Sequence, residues 1–272
     1  MKKKTALVLT LLLGAVMPLA AQKCLPIGPE RAFQPGESLD FGLMYKWGVS
    51  TEVGTANLSI DTTVLNGKPA FHSSIKAKGA PFFDVFFKIR EHFQGWMDQD
   101  NMRPLKFIRD THEGNYTATN LFLYDWENHV IHTDLNSSHS GHRIVDVPIE
   151  DCTFDIASIL YYARCMDLSR IKPGTKYPLI FAIDEDVYHL VLTFRGKETL
   201  KNRKLGKIRT LRFSCSVVSC TMFSGEEEFL LWISDDDNRL PVAFVAPIRV
   251  GEVKGYLKGY DNLKYPFSSL VK

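Results

Sequence analysis

The sequence predicts an all-β, mainly antiparallel fold, a β-roll or partly open barrel with one central amphipathic helix. Three observations carry that prediction. Apolar or alternating stretches recur about every ten residues and are separated by polar turn clusters, the spacing of an antiparallel meander. Asn66-Gly67 lies between two of these stretches and supplies the positive φ that a tight hairpin needs. Only one segment switches to a helical period.

Taken in order, Leu39 to Trp47 and Gly54 to Val64 read as strands. In the second, Ala56, Leu58 and Ile60 face one way while Thr55, Asn57, Ser59 and Asp61 face the other. Pro69 to Lys78 returns as its hairpin partner. Pro81 to Ile89 carries Phe82, Phe83, Phe86 and Phe87, which suits a short helix or an irregular segment laying aromatics across a sheet edge or barrel mouth. Strands follow at Glu91 to Asp98, Leu105 to Asp110, Tyr116 to Trp126, His129 to Leu135 and, after a polar loop, Arg143 to Ile149. Phe154 to Cys165 is the helix. Its apolar stripe is Ile156, Ile159, Leu160 and Ala163, with Thr153 placed to cap it, Asp155 in its first turn and Arg164 in its last.

Lys172-Pro173-Gly174 marks a return to β-structure. Six strands follow: Lys176 to Ile183, Tyr188 to Thr199, Lys207 to Val218, Glu227 to Ser234, Pro241 to Ile248 and Val250 to Tyr260. Phe229 to Ile233 is apolar on both faces, which predicts cover on both sides. In the last strand Gly251, Gly255 and Gly259 share a face with Val253 and Leu257, a pattern that permits tight coiling or close approach of another backbone.

The first residues form an export signal: Lys2 to Lys4 are basic, Ala6 to Met17 is nearly all apolar, and Pro18 with Leu19-Ala20-Ala21 makes a cleavage site before Gln22. The apolar run is shorter than the ~20 residues of a bilayer-spanning helix, and no later run reaches that length. Residues 1–21 are therefore expected to leave, and 22–272 to form one domain, exported to the periplasm with no transmembrane segment. Gln22 and Lys23 stand where a lipobox needs small residues, so Cys24 is not expected to be lipidated. The 33 Lys and Arg against 31 Asp and Glu are interspersed, which argues against a nucleic-acid partner. Five cysteines, Cys24, Cys152, Cys165, Cys215 and Cys220, would enter an oxidising compartment, where the odd count leaves one unpaired within the chain. Cys152 and Cys165 bracket the helix and are too far apart to bond if it is straight, while Cys215 and Cys220 point to opposite faces of a regular strand. Buried thiols without bridges are as compatible with the sequence as any disulfide.

Three stretches together resemble the DUF3108 family, exported proteins of unknown function from Gram-negative bacteria. They are Phe33-Gln34-Pro35-Gly36-Glu37-Ser38-Leu39 with Tyr45-Lys46-Trp47-Gly48 and Gly54-Thr55-Ala56, then Asp155 to Arg164, and Leu231 to Asp236 followed by Arg239-Leu240-Pro241-Val242. The resemblance implies an exported β-rich fold and supplies no catalytic residues.

Other candidates have simpler readings. His129, His132, His139 and His142 form two HxxH pairs, whose rings a strand would send to opposite faces, so no metal site is expected. The acidic runs Glu226 to Glu228 and Asp235 to Asp237 lack the alternating ligands of a calcium loop. Ser158 lies within the helix, without a nucleophile elbow. No cofactor or catalytic residue is expected. Asp155, Tyr162 and Arg164 are expected to hydrogen-bond the helix to the surrounding strands, or else to mark a binding groove. The function these features suggest is an envelope protein binding an apolar small molecule or another envelope component, with Phe82, Phe83, Phe86, Phe87, Asp155, Tyr162 and Arg164 as candidate ligand contacts. An exported hydrolase acting on envelope glycan or lipid and a structural adaptor are the competing classes.

Overall fold

A computed structural model describes residues 24–47, 49–217, 229–247 and 251–271. Fifteen of its strands lie side by side in one sheet, built from two meanders that meet in the middle. The first meander comprises β1 (Glu37–Trp47), β2 (Val49–Leu65), β3 (Lys68–Gly79), β4 (Ile89–Asp98), β5 (Pro104–Glu113), β6 (Tyr116–Asp125), β7 (Val130–Ser137) and β8 (Gly141–Pro148), each paired with the next. A short helix α1 (Pro81–Asp84) interrupts it between β3 and β4. The chain then crosses through β9 (Thr153–Phe154) and helix α2 (Ile156–Cys165) to the far edge. The second meander, β10 (Lys176–Ile183), β11 (Asp186–Asn202), β12 (Gly206–Val217), β13 (Phe229–Ser234), β14 (Pro241–Pro247) and β15 (Glu252–Asp261), returns to pair β15 with β1. Asn66 and Gly67 take φ of 50° and 80°, the turn conformation expected between β2 and β3.

Two small pairings had no sequence signal. β9 pairs parallel with β10 through Thr153↔Ile180 and Phe154↔Phe181, and β16 (Leu270–Val271) pairs with β12. The remaining strands match their expected positions to within a few residues, except that β2 starts at Val49 rather than Gly54, and the outer ends of the strands expected at Lys207 to Val218, Glu227 to Ser234, Pro241 to Ile248 and Val250 to Tyr260 fall outside the described residues.

The sheet rolls because its two arms have apolar inner faces that must be covered. Phe107, Phe122, Ile131, Leu135 and Val147 on β5 to β8 pack against Ala157 of α2 and Ala182 of β10. The tip of the β10–β11 hairpin is pinned to the same arm. Asp184 accepts from Arg109 at 2.7 Å and from Asn120 at 2.8 Å, Arg143 pairs with Glu185, and His189 lies 3.2 Å from Glu150. β8 and β9 are not hydrogen-bonded to each other, so the roll stays partly open.

Helix α2 fills the interior and differs from expectation in two ways. Its cap is Asp155, whose Oδ1 accepts from the amides of Ala157 at 2.9 Å and Ser158 at 2.7 Å. Thr153 is instead in β9, donating to the Glu150 carbonyl. The covered face is also wider than the expected apolar stripe: Ile159 is buried and Ile156, Leu160 and Ala163 are half-buried, while Ala157, Ser158, Tyr161, Tyr162, Arg164 and Cys165 are buried as well. A helix enclosed by a sheet needs cover all round, and here Ser158, Tyr162 and Arg164 find partners inside, while the buried Tyr161 hydroxyl has none among the described residues. Gly95 of β4 makes room for the helix start, since a Cβ there would lie 2.8 Å from both Asp155 Oδ1 and Ser158 Oγ.

The glycines of the last strand are placed differently from the expected shared face. Gly251 takes φ of 81° ahead of β15, and a register shift opposite Asp40 and Phe41 turns Gly259 to the face away from Leu257. Gly255 is covered by the Phe244 ring. Phe229 to Trp232 are half-buried rather than enclosed on both sides.

Two long-range links hold the helix. Arg164 and Glu37, 3% and 0% exposed, form a two-pronged ion pair at 2.5 and 2.8 Å, and the guanidinium also donates to the carbonyls of Ala32 and Asn238. Cys24 and Cys152 form a disulfide with Cα atoms 5.3 Å apart, joining residues 128 positions distant just ahead of the helix. Removing one partner of a buried ion pair strands the other charge, at a cost of about 3–5 kcal/mol. Glu37→Gln should therefore lose about that much stability in urea unfolding, and Glu37→Leu with Arg164→Met should lose less. Closing so long a loop contributes about 2–5 kcal/mol. The Cys24→Ser, Cys152→Ser pair should show a lowered thermal midpoint, and an unchanged midpoint would contradict this role.

Candidate functional site

The polar residues of the outer sheet face line up only when the registers are laid side by side. Asp40 on β1 stands opposite Asn57 on β2, then Lys76 on β3, His92 on β4 and Asp110 on β5. The next row on the same face is Thr55, Lys78, Arg90 and His112. Together with Lys258 and Gly259 of β15 these residues line an open groove of about 760 Å³. A smaller extension of about 350 Å³ shares Lys76 and His92 and continues along Ser38, Ser59, Ser74 and Gln94. His72, which also lines this extension, stacks on Trp96 at 4.6 Å, and Lys106 sits 4.8 Å over the same ring.

Within the groove, Asn57 donates to Asp40 at 2.8 Å and to Ser38 at 2.9 Å, while His92 Nε2 lies 3.1 Å from the Ser74 hydroxyl. Burial, reinforced by the nearby Lys76 charge, holds His92 below the usual histidine range, so at neutral pH it is an uncharged ring. Lys258 is held charged by its hydrogen bond to Glu52. Lys76 and Lys78 are exposed and have no carboxylate partner among the described residues. On the inner face of β4, behind the groove, Glu91 is pushed up to about 7, chiefly by burial, with the Thr111 hydroxyl bond opposing and the Glu113 charge adding to the rise. The groove thus offers lysine stems as apolar surface and two free ammonium groups as heads.

At one end of the groove stands the aromatic turn. Phe82, Val85, Phe86 and Phe87 are 73%, 80%, 78% and 53% exposed, and Phe83 is half-buried. The turn is tied to the groove rim by Asp84, which takes both arms of Arg90 at 2.9 and 2.5 Å. The aromatic residues singled out in the sequence lie beside the groove and project from it rather than lining it.

The other candidates are interior. Asp155 spends its oxygens on the helix start and on the Ser158 hydroxyl at 2.6 Å, Tyr162 donates to the Leu25 carbonyl at 2.7 Å, and Arg164 holds Glu37. None of the three lines the groove. His132 and His142 bind Asp146 and Asp134 at 2.7 and 2.8 Å, and no metal-binding group occurs among the described residues. Asp236 bonds Ser234 and Ser269, and Asp235 binds Lys197; Glu226 to Glu228 and the export signal lie outside the described residues. The groove residues went unremarked because each strand shows them only as ordinary alternating polar positions. The signal that could have found them is the concentration of Lys76, Lys78, Arg90 and His92 on one face of the β3–β4 hairpin.

Asp155 carries a pH dependence. Burial raises its carboxyl from 3.8 to about 6. The folded state therefore holds the proton more tightly, and this stabilisation is complete below about pH 4 and lost as pH rises through about 6, an effect of at most ~3 kcal/mol. Asp155→Asn keeps a capping oxygen, so the stability difference between it and the wild type should change across that window. Parallel stability curves from pH 4 to 6 would count against this assignment.

Residues 43–258 match the profile of a family described as "Protein of unknown function (DUF3108)". Among solved structures, the chain is similar to a β-barrel-like protein of domain of unknown function DUF1849 from Brucella abortus. The two share 9% identity at a TM-score of 0.57, over 85% of this chain and all of the other. At that identity the likeness concerns the fold alone. No curated protein sequence matches the chain.

Proposed function

The chain belongs to the DUF3108 family, and we propose that this member is an exported, non-catalytic envelope protein that binds an amphiphile with an anionic head in the groove of β1 to β5. The observation that carries this reading is the groove itself. Its volume of about 760 Å³ falls in the size class of small-molecule sites, and Lys76 and Lys78 reach it with uncommitted charge. An apolar tail would lie along the lysine stems and the His92 and His112 rings, with its head near the ammonium groups.

Export is supported by the basic, apolar and small order of the first twenty-one residues and by a disulfide that suits an oxidising compartment. The bond from Cys24 to Cys152 also occupies the sulfur that lipidation would use. The hydrolase alternative draws less support, because such an enzyme needs carboxylates facing each other across a cleft and the Asp155 carboxylate is consumed by the helix cap.

Calorimetric titration with a single-chain alkyl phosphate tests the reading. Wild type should bind it, and Lys76→Glu with Lys78→Glu should weaken binding at least tenfold without changing the thermal midpoint. An unchanged affinity in that variant, or no binding by the wild type, rejects the groove as the site.

A further inference from the structure

The aromatic turn between β3 and β4 is exposed to an extent that its own packing does not explain. We propose that this turn is a docking knob that enters the interfacial layer of an anionic lipid bilayer. The inference goes beyond the groove reading and stands without it.

Display rather than looseness accounts for the exposure. The backbone is fixed by hydrogen bonds from Phe83 and Asp84 to the Ala80 carbonyl and from Phe86 and Phe87 to that of Phe83, and Ala80 itself donates to Val53 at 2.7 Å. The Asp84–Arg90 pair locks the turn onto the strand that leaves it. Phe82 meets Phe83 and Phe86 edge to face at 5.4 and 6.0 Å, and Phe87 rests against Gly114, where a Cβ would come within 2.6 Å of the ring. The side chains are thus held outward in one cluster.

Charge around the cluster selects its partner. Lys78 and Lys88 flank it, exposed and without carboxylate partners among the described residues, and Lys76 follows one row back. The only acid between residues 76 and 90 is Asp84, already neutralised by Arg90. Apolar side chains ringed by cations match an interface whose headgroups are negative and whose acyl boundary is apolar. A second copy of the chain fits less well. The four side chains present about 500 Å², well short of the ~800 Å² per partner of a stable dimer, and they form a tip rather than a face. Lys78 and Arg90 belong both to the knob's collar and to the groove rim, so a docked knob brings the groove beside the headgroups.

Flotation with vesicles tests the proposal. Wild type should float with vesicles containing about one-third phosphatidylglycerol, and far less with phosphatidylcholine alone or in high salt. Phe82→Ser with Phe86→Ser should cut the bound fraction at least tenfold at an unchanged thermal midpoint, since both side chains are exposed. Lys78→Glu with Lys88→Glu should cut it several-fold. Asn57→Trp, which fills the groove, should leave flotation unchanged, so a failure of the groove reading is told apart from a failure of this one. Flotation of the double serine variant at the wild-type level overturns the proposal. So does a wild type that ignores anionic vesicles, whether or not it self-associates through the turn.

Discussion

Arg164 and Glu37 meet where water does not reach, and the placement of helix α2 depends on that meeting. A guanidinium has five donors to satisfy, and here all three of its nitrogens donate, to the carboxylate of β1 and to the carbonyls of Ala32 and Asn238. Those partners come from the segment before the sheet, from its central strand and from the β13–β14 turn. One side chain therefore ties the helix to the seam at which the two meanders join. Neither charge could be left inside alone, so the pair requires helix, seam and turn to arrive together.

With the helix in place, the interior of the roll holds a capped helix start, aromatic rings and the disulfide that anchors the chain at Cys152. Phe154 and Tyr162 lie 4.2 Å apart, and Phe33 packs edge to face on both Phe71 and Tyr161. Polar side chains that resembled a site in the sequence are bound to this filling. The outer face is where β1 to β5 set lysine, histidine and carboxylate side chains in rows.

Much of the fold was legible in the sequence because its determinants are local. Period-two alternation marks β2, Asn66-Gly67 marks its hairpin, and the change of period marks α2. What escaped was decided by tertiary structure. Thr153 has the chemistry of a cap, but pairing of Thr153 and Phe154 with β10 shifts the helix start so that Asp155 caps it. The stripe Ile156, Ile159, Leu160 and Ala163 reads as the buried face only for a helix lying on a sheet, and this helix is wrapped by one. A single extra residue at Lys258 turned Gly259 away from Leu257, which strict alternation could not foresee. The site was less legible still. Phe82 to Phe87 stood out as a cluster, but whether they line or project follows from the turn that carries them. The groove depends on four successive registers, none of them written in any one strand.

The central claim is that the inside of the roll is occupied and that ligand chemistry lies on the outer face of β1 to β5. Photo-crosslinking with a diazirine-tagged alkyl phosphate, followed by peptide mapping, tests it most directly. The account predicts adducts on peptides carrying Asn57, Lys76 to Lys78, Arg90 to His92 and Asp110 to His112. Adducts concentrated on Ile156 to Cys165, the helix inside the roll, would contradict it.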